Sequence, residues 1–148
     1  MTQACITIKK MTMAYGDFII QRDLDFKINQ GDIFVIMGGS GCGKSTLLKH
    51  MLGLIQPSRG DILYNGTSFF QASDSEQGLM RQGWGISYQS GGLFSAMTLG
   101  ENITLPLELY TRYTPAEIAD IVAYKLALVG LGGYQSYYPS QISGGMQK

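Results

Sequence analysis

"GGSGCGKST", Gly38 to Thr46, is the stretch whose reading decides the fold. It matches G-x-x-x-x-G-K-[ST], a pattern with a physical mechanism behind it. A polyphosphate needs many N–H donors converging on it, and glycine lets a backbone approach that closely from several sides. A helix starting near Lys44 points its positive end at the same anion. Lys44 adds a full charge for the outer phosphates, and the Ser45 hydroxyl is placed to ligate Mg²⁺. The candidate nucleotide cradle is therefore Gly38, Gly39, Ser40, Gly41, Cys42, Gly43, Lys44, Ser45 and Thr46. On its own this pattern does not separate kinases, motors, GTPases and transporters.

The flanks agree with the loop. "IFVIM", Ile33 to Met37, is continuously apolar and predicts a strand covered on both faces. "KSTLLKHMLGL" after the loop predicts a helix ending at Gly53. Upstream, Leu24, Phe26 and Ile28 alternate with Asp23, Asp25 and Lys27, the period of a strand with one wet face. Ile6 and Ile8 alternate in the same way with Thr7 and Lys9. Asp61 to Tyr64 and Gly85 to Tyr88 are two further short strand candidates. The mixture predicts an α/β fold with an antiparallel part.

After Gly92 the texture changes. Thr98 is followed three residues on by Glu101, and Thr114 by Glu117, with Pro115 at the first helical position. Both are capping boxes, whose side chains satisfy the free N–H groups of a helix start. Ile118, Ile121, Val122, Leu126 and Val129 then fall on one helical face, and Gly130 is the expected stop. The expected division is a β-rich phosphate-loop core over residues 1–92 and a helical part over 93–148.

Composition narrows the partners. The 148 residues are 45% hydrophobic and 15% charged, which suits one domain with a real core. Formal net charge is zero, so there is no electrostatic footprint for nucleic acid. No apolar run reaches the length of a membrane-spanning helix. The start "MTQACITIKK" has no signal-peptide pattern, and Cys5 and Cys42 have neither metal-ligand nor disulfide-framework spacing. A cytoplasmic, reduced protein is expected, linked to a membrane only through a partner.

A second glycine cluster, "ISGGM", lies at Ile142 to Met146. Ser143 is a good N-cap, and the two glycines expose N–H groups at a helix start, as an anion site requires. Phosphate loop, a glutamine after a strand candidate ("SYQSGGLF", Gln89), a capped helical region, then Ser-Gly-Gly: this order resembles the nucleotide-binding domain of ABC transporters. The resemblance runs from Tyr15 to the end of the chain. It implies a P-loop ATPase that binds ATP and Mg²⁺. It implies that Tyr15, in "MAYGDF", stacks on adenine, and that Gln89 touches Mg²⁺ and the attacking water. It also implies that Ser143, Gly144 and Gly145 act in trans on ATP held by a second copy of the chain. Catalysis then rests on Lys44 and Gln89, with Ser45 and Gln89 at the metal. The helical part and the Gln89 loop would dock on an integral membrane permease, placing the protein on the inner face of the cell membrane.

"YQSGGLFSAMTLGENITLPL", together with Met146 in place of the usual glutamine of the signature, is similar to one branch in particular. These are the ATPases of lipid-trafficking transporters that work with MCE-type substrate-binding proteins. The family's further motifs, a metal-binding Asp, a general-base Glu and a switch histidine, do not fall within residues 1–148, so the sequence is expected to be the N-terminal part of a longer ATPase. The alternatives are a short module that binds nucleotide without efficient hydrolysis, or a non-transport ABC ATPase. A P-loop kinase would leave "ISGGM" unexplained. The lone histidine, His50, reads as a helix-surface residue. Cys42 lies inside the phosphate loop, so thiol alkylation is expected to block nucleotide binding and ATP to protect against it.

Overall fold

A computed structural model describes residues 4–88 and 91–148 of the chain. It divides into two units, Met1–Trp84 and Gly85–Lys148. The first is built on an antiparallel hairpin, β1 (Ala4–Tyr15) and β2 (Phe18–Asn29), joined through the two-residue turn Gly16–Asp17. Strands β3 (Arg59–Tyr64) and β4 (Thr67–Ser68) complete a sheet of order β2-β1-β3-β4, antiparallel throughout. The predicted alternation holds on β2: Leu24, Phe26 and Ile28 pack against the core while Asp23, Asp25 and Lys27 are exposed.

Strand β1 is longer than its two-residue period suggests, because Lys9 and Lys10 break that period. Lys10 takes a left-handed φ of 42°, and the pairing slips between Ile8 and Met11. The slip is a bulge, and it returns Met11 and Met13 to the core. Gly60 faces it on β3 with φ 82°; a Cβ there would come within 2.4 Å of the Lys9 and Lys10 carbonyl oxygens. Only glycine fits that approach.

Helix α1 (Lys44–Met51) buries Leu47, His50 and Met51 and ends two residues before Gly53. Its apolar residues join Ile8, Met11, Met13, Ile62, Tyr64 and Phe69 in one core cluster. Phe69 is 1% exposed, edge-on to Tyr64 and Phe70 with ring centroids 6.0 and 5.2 Å away. Tyr64 donates its hydroxyl to the Met51 carbonyl, and burial pushes its pKa above the ordinary tyrosine range.

His50 corrects the sequence reading. It is 1% exposed, with Nδ1 at 2.7 Å from the Ile55 carbonyl and Nε2 without a partner among the described residues. The periodicity of α1 puts position 50 beside Leu47 and Met51, on the buried stripe. Burial lowers the imidazole pKa from 6.5, partly offset by the Ile55 carbonyl. Below about that ordinary value the unfolded chain binds a proton that the folded chain refuses, so stability is lost as pH falls. Urea midpoints are expected to drop between pH 7 and pH 5, and the drop is expected to shrink in His50→Gln. An unchanged slope in that variant would assign the pH dependence elsewhere.

Helix α2 (Asp74–Gln82) was not expected from the sequence. Its start carries the same signal as the later helices, a Ser73–Glu76 capping box, but it buries no residue, so no apolar stripe announces it.

Two expected strands are absent as strands: neither Ile33–Met37 nor Gly85–Tyr88 pairs with another segment among the described residues. Ile33 and Met37 are 96% and 87% exposed. A continuously apolar segment becomes a strand when neighbours on both edges take its N–H and C=O groups. No described residue does so here.

The second unit holds α3 (Leu99–Tyr110) and α4 (Pro115–Leu128), and both predicted capping boxes are formed. The N–H of Thr98 and its hydroxyl hold the Glu101 carboxylate below its ordinary pKa, and Thr114 does the same for Glu117. Ile118, Val122 and Leu126 are buried on α4 as expected. Val129 is 69% exposed because it caps the helix, one residue past its last turn. Ile118, Val122 and Leu126 join Leu99, Leu131 and Ile142 in a separate core. A 3₁₀ turn (Pro139–Gln141) precedes the short α5 (Gly144–Gln147), which Ser143 caps by accepting the Met146 N–H.

Candidate nucleotide-binding site

The phosphate loop is seated on the hairpin. At Gly43 the backbone takes φ 98° to enter α1, and a Cβ there would lie 2.6 Å from the Ile20 methyl on β2. One residue along that strand, Gln21 donates from Nε2 to the Cys42 carbonyl at 3.4 Å. Within the loop, Lys44 Nζ donates to the Gly38 and Gly39 carbonyls, each at 2.7 Å, and lies 3.6 Å from Cys42 Sγ. The lysine is thus drawn back over the loop it follows.

Helix α1 starts without a side-chain cap and without an acidic residue in its first turn. Its leading N–H groups and its positive end are therefore left for an anion. They face a cavity of about 480 Å³ lined by Ser40 through Thr46 on one side and by the hairpin on the other. The hairpin contributes Tyr15, Phe18, Ile19, Ile20 and Gln21. The size and the mixed lining, aromatic rings together with a glycine-rich loop and a helix start, suit a nucleotide.

The structure thus brings Tyr15 and the loop residues Ser40 to Thr46 to one cavity, while Gly38 and Gly39 give their carbonyls to Lys44. Gln89 lies outside the described residues. Ser143, Gly144 and Gly145 belong to the second unit, where Ser143 and Gly145 line an apolar cavity with Leu99, Leu126 and Met146. Phe18, Ile19, Ile20 and Gln21 were missed by sequence reasoning. The signal was the two-residue turn after Tyr15, which fixes Phe18 opposite it and lays the next residues along the loop.

Ser45 lines the same cavity and offers one hydroxyl to a metal. No group of three or more His, Cys, Asp or Glu side chains that could hold a metal gathers among the described residues. One hydroxyl completed by phosphate oxygens and water is the oxygen-only set that Mg²⁺ prefers, so the residues present fit that ion.

Comparison with known proteins adds lineage to geometry. The family model described as ABC transporter matches residues 21–148. The chain is 42% identical over 143 residues to the probable ribonucleotide transport ATP-binding protein mkl of Mycobacterium leprae, covering 97% of this chain and 41% of that protein. It is 37% identical over 148 residues to the intermembrane phospholipid transport system ATP-binding protein MlaF of Haemophilus influenzae, covering all of this chain and 56% of that protein. The chain therefore spans roughly half the length of these relatives. Among solved structures it is similar to a dimeric structure of MJ0796, a bacterial ABC transporter cassette. That match has a TM-score of 0.84 and 29% identity over 96% of this chain and 65% of that one.

Proposed function

The chain belongs to the ABC transporter family, and from that premise we propose that it is the nucleotide-binding part of an ATPase subunit that drives transport through a membrane partner. The observation that carries this reading is the shared cavity: a phosphate loop and an aromatic hairpin tip line one space of nucleotide size. Lys44 leaves the Gly38 and Gly39 carbonyls to meet the outer phosphates of ATP. The uncapped start of α1 and the loop N–H groups hold the rest of the triphosphate. Tyr15 stacks on the base. Ser45, with Gln89, would hold Mg²⁺, which when bound would neutralise charge on the transferred phosphoryl group. Positioning and charge stabilisation do most of the work in phosphoryl transfer to water. Hydrolysis is assigned to the whole protein.

We assign Ser143, Gly144 and Gly145 to ATP held by a second copy, in a head-to-tail pair. The dimeric cassette structure of MJ0796 supports a pair, and the formed Ser143 cap at the start of α5 supports a role for this turn. The membrane partner is an integral permease, and the protein works peripherally at the inner face of the cell membrane. No described helix is long and apolar enough to cross a membrane. The name of the Haemophilus relative and the "SGGLF" and Met146 features favour a lipid substrate, with an MCE-type binding protein as a further partner. The name of the mycobacterial relative makes ribonucleotides the rival substrate.

Equilibrium dialysis of the chain against Mg²⁺ and labelled ATP tests the nucleotide reading, and saturable binding is expected; its absence at millimolar ATP would remove it. The whole protein with its permease tests the transport reading. ATPase activity raised by phospholipid and not by ribonucleotides is expected; the reverse pattern would replace lipid with the rival. Cys42 supplies an independent check, since its sulfur sits between the loop wall and Lys44. Maleimide labelling of Cys42 is expected to slow at least about tenfold with saturating ATP, as cavity closure over a thiol requires. Labelling that ignores ATP would place the thiol outside the bound nucleotide's reach.

A further inference from the structure

The hairpin tip carries two aromatic rings, and the family resemblance accounts for one. Tyr15 and Phe18 are directly opposed in the β1–β2 register, so they share one face of the ribbon. Both line the phosphate-loop cavity. Tyr15 is 51% exposed and Phe18 72% exposed. Tyrosine can keep its hydroxyl in water, but phenylalanine has no polar atom to justify that exposure. Phe18, like Phe94, forms no aromatic pair among the described residues, whereas Phe26, Phe34, Phe69 and Phe70 do.

The reach of the two rings is set by how the hairpin is seated. Ile20 fills the space that a Cβ at Gly43 would take, and Gln21 ties the same strand to the Cys42 carbonyl. These two contacts tie the hairpin to the phosphate loop, and its two rings line one cavity with the loop residues.

We propose that Phe18 is a second base-contacting residue, and that with Tyr15 it forms a two-ring platform which takes a nucleobase by stacking. This rests on the nucleotide reading above and extends it to the ligand class: a nucleoside triphosphate of either purine. Stacking uses the π-face that every base has, so it discriminates weakly between bases. Gln21, whose side-chain amide the hairpin brings to this cavity, is engaged by the loop backbone.

The test uses the full chain and three probes with Mg²⁺: ATP, GTP and inorganic tripolyphosphate. Wild type is expected to bind ATP and GTP within about threefold of each other, and tripolyphosphate more weakly. Phe18→Ala is expected to lose about five- to tenfold for both nucleotides while tripolyphosphate affinity stays within twofold. Phe18→Trp is expected to restore nucleotide binding. The Tyr15→Ala/Phe18→Ala double variant is expected to hold ATP no better than tripolyphosphate. Equal ATP affinity in Phe18→Ala and wild type would overturn the proposal. So would a parallel loss of tripolyphosphate, which would make Phe18 a support for the loop. Wild type binding none of the probes would instead remove the nucleotide reading, and this proposal with it.

Discussion

Lys44→Ala is expected to weaken ATP binding by about ten- to a hundredfold, the range for losing a charge-assisted hydrogen bond to phosphate. In the whole protein, hydrolysis is expected to fall by at least about a hundredfold, because the same ammonium faces charge that grows in the transition state. The fold is expected to survive. Among the described residues Lys44 bonds to the carbonyls of Gly38 and Gly39 and the thiol of Cys42, and it takes no part in either core. Dialysis with labelled ATP gives the first number, a phosphate-release assay the second, and thermal unfolding checks the third. Lys44→Arg separates charge from fit. It keeps the charge but brings a planar fork into a space shaped for a point cation, and partial recovery is expected. Undiminished ATP binding in Lys44→Ala would mean that the cavity between loop and hairpin is not where the triphosphate sits.

Phe69→Ala is expected to cost about 3–5 kcal/mol of stability, read as a lowered urea midpoint with an unchanged slope. The ring belongs to the core cluster of the first unit. It lies edge-on to Tyr64 and Phe70, 5.6 Å from Trp84 by ring centroid, with the Arg81 guanidinium 5.0 Å above it. Gly53, just past α1, lies so close that a Cβ there would overlap the ring. Removing the ring opens a cavity that neither the sheet nor α1 can collapse into. Phe69→Leu keeps most of the volume and is expected to cost about half as much. A loss below about 1 kcal/mol in Phe69→Ala would show that the site refills.

Much of this was legible in the sequence, for reasons that differ by element. The Leu24–Phe26–Ile28 alternation predicted β2 because one face of that strand is wet, and a two-residue period records that directly. The Thr98 and Thr114 helices announced themselves through side chains three residues apart, a local signal that needs no tertiary context. The loop at Gly38 to Thr46 was visible because its chemistry is written in consecutive residues. Features set by distant partners were less visible. Ile33–Met37 has strand composition, but composition does not supply edges to pair with. His50 was placed at the surface from its chemistry, when its position on the α1 stripe decided its burial. The bulge at Lys10 hid the length of β1, since two exposed lysines in succession look like the end of a strand. Phe18 and Gln21 join the candidate site through hairpin register, a relation between strands that no single segment displays.

The place of β1 in the sheet has a consequence for exchange with solvent. It is flanked by β2 on one edge and β3 on the other, so its amide hydrogens are spent on two ladders. Deuterium reaches such amides only when a neighbouring strand detaches. Ile6 and Ile8 are therefore set to be among the last amides of the first unit to exchange. Thr67 and Ser68, on a two-residue edge strand, and Ile33 to Met37, outside any ladder, are set to exchange far sooner. The slow amides of β1 mark the part of the chain on which the hairpin, and with it the seat of the phosphate loop, depends.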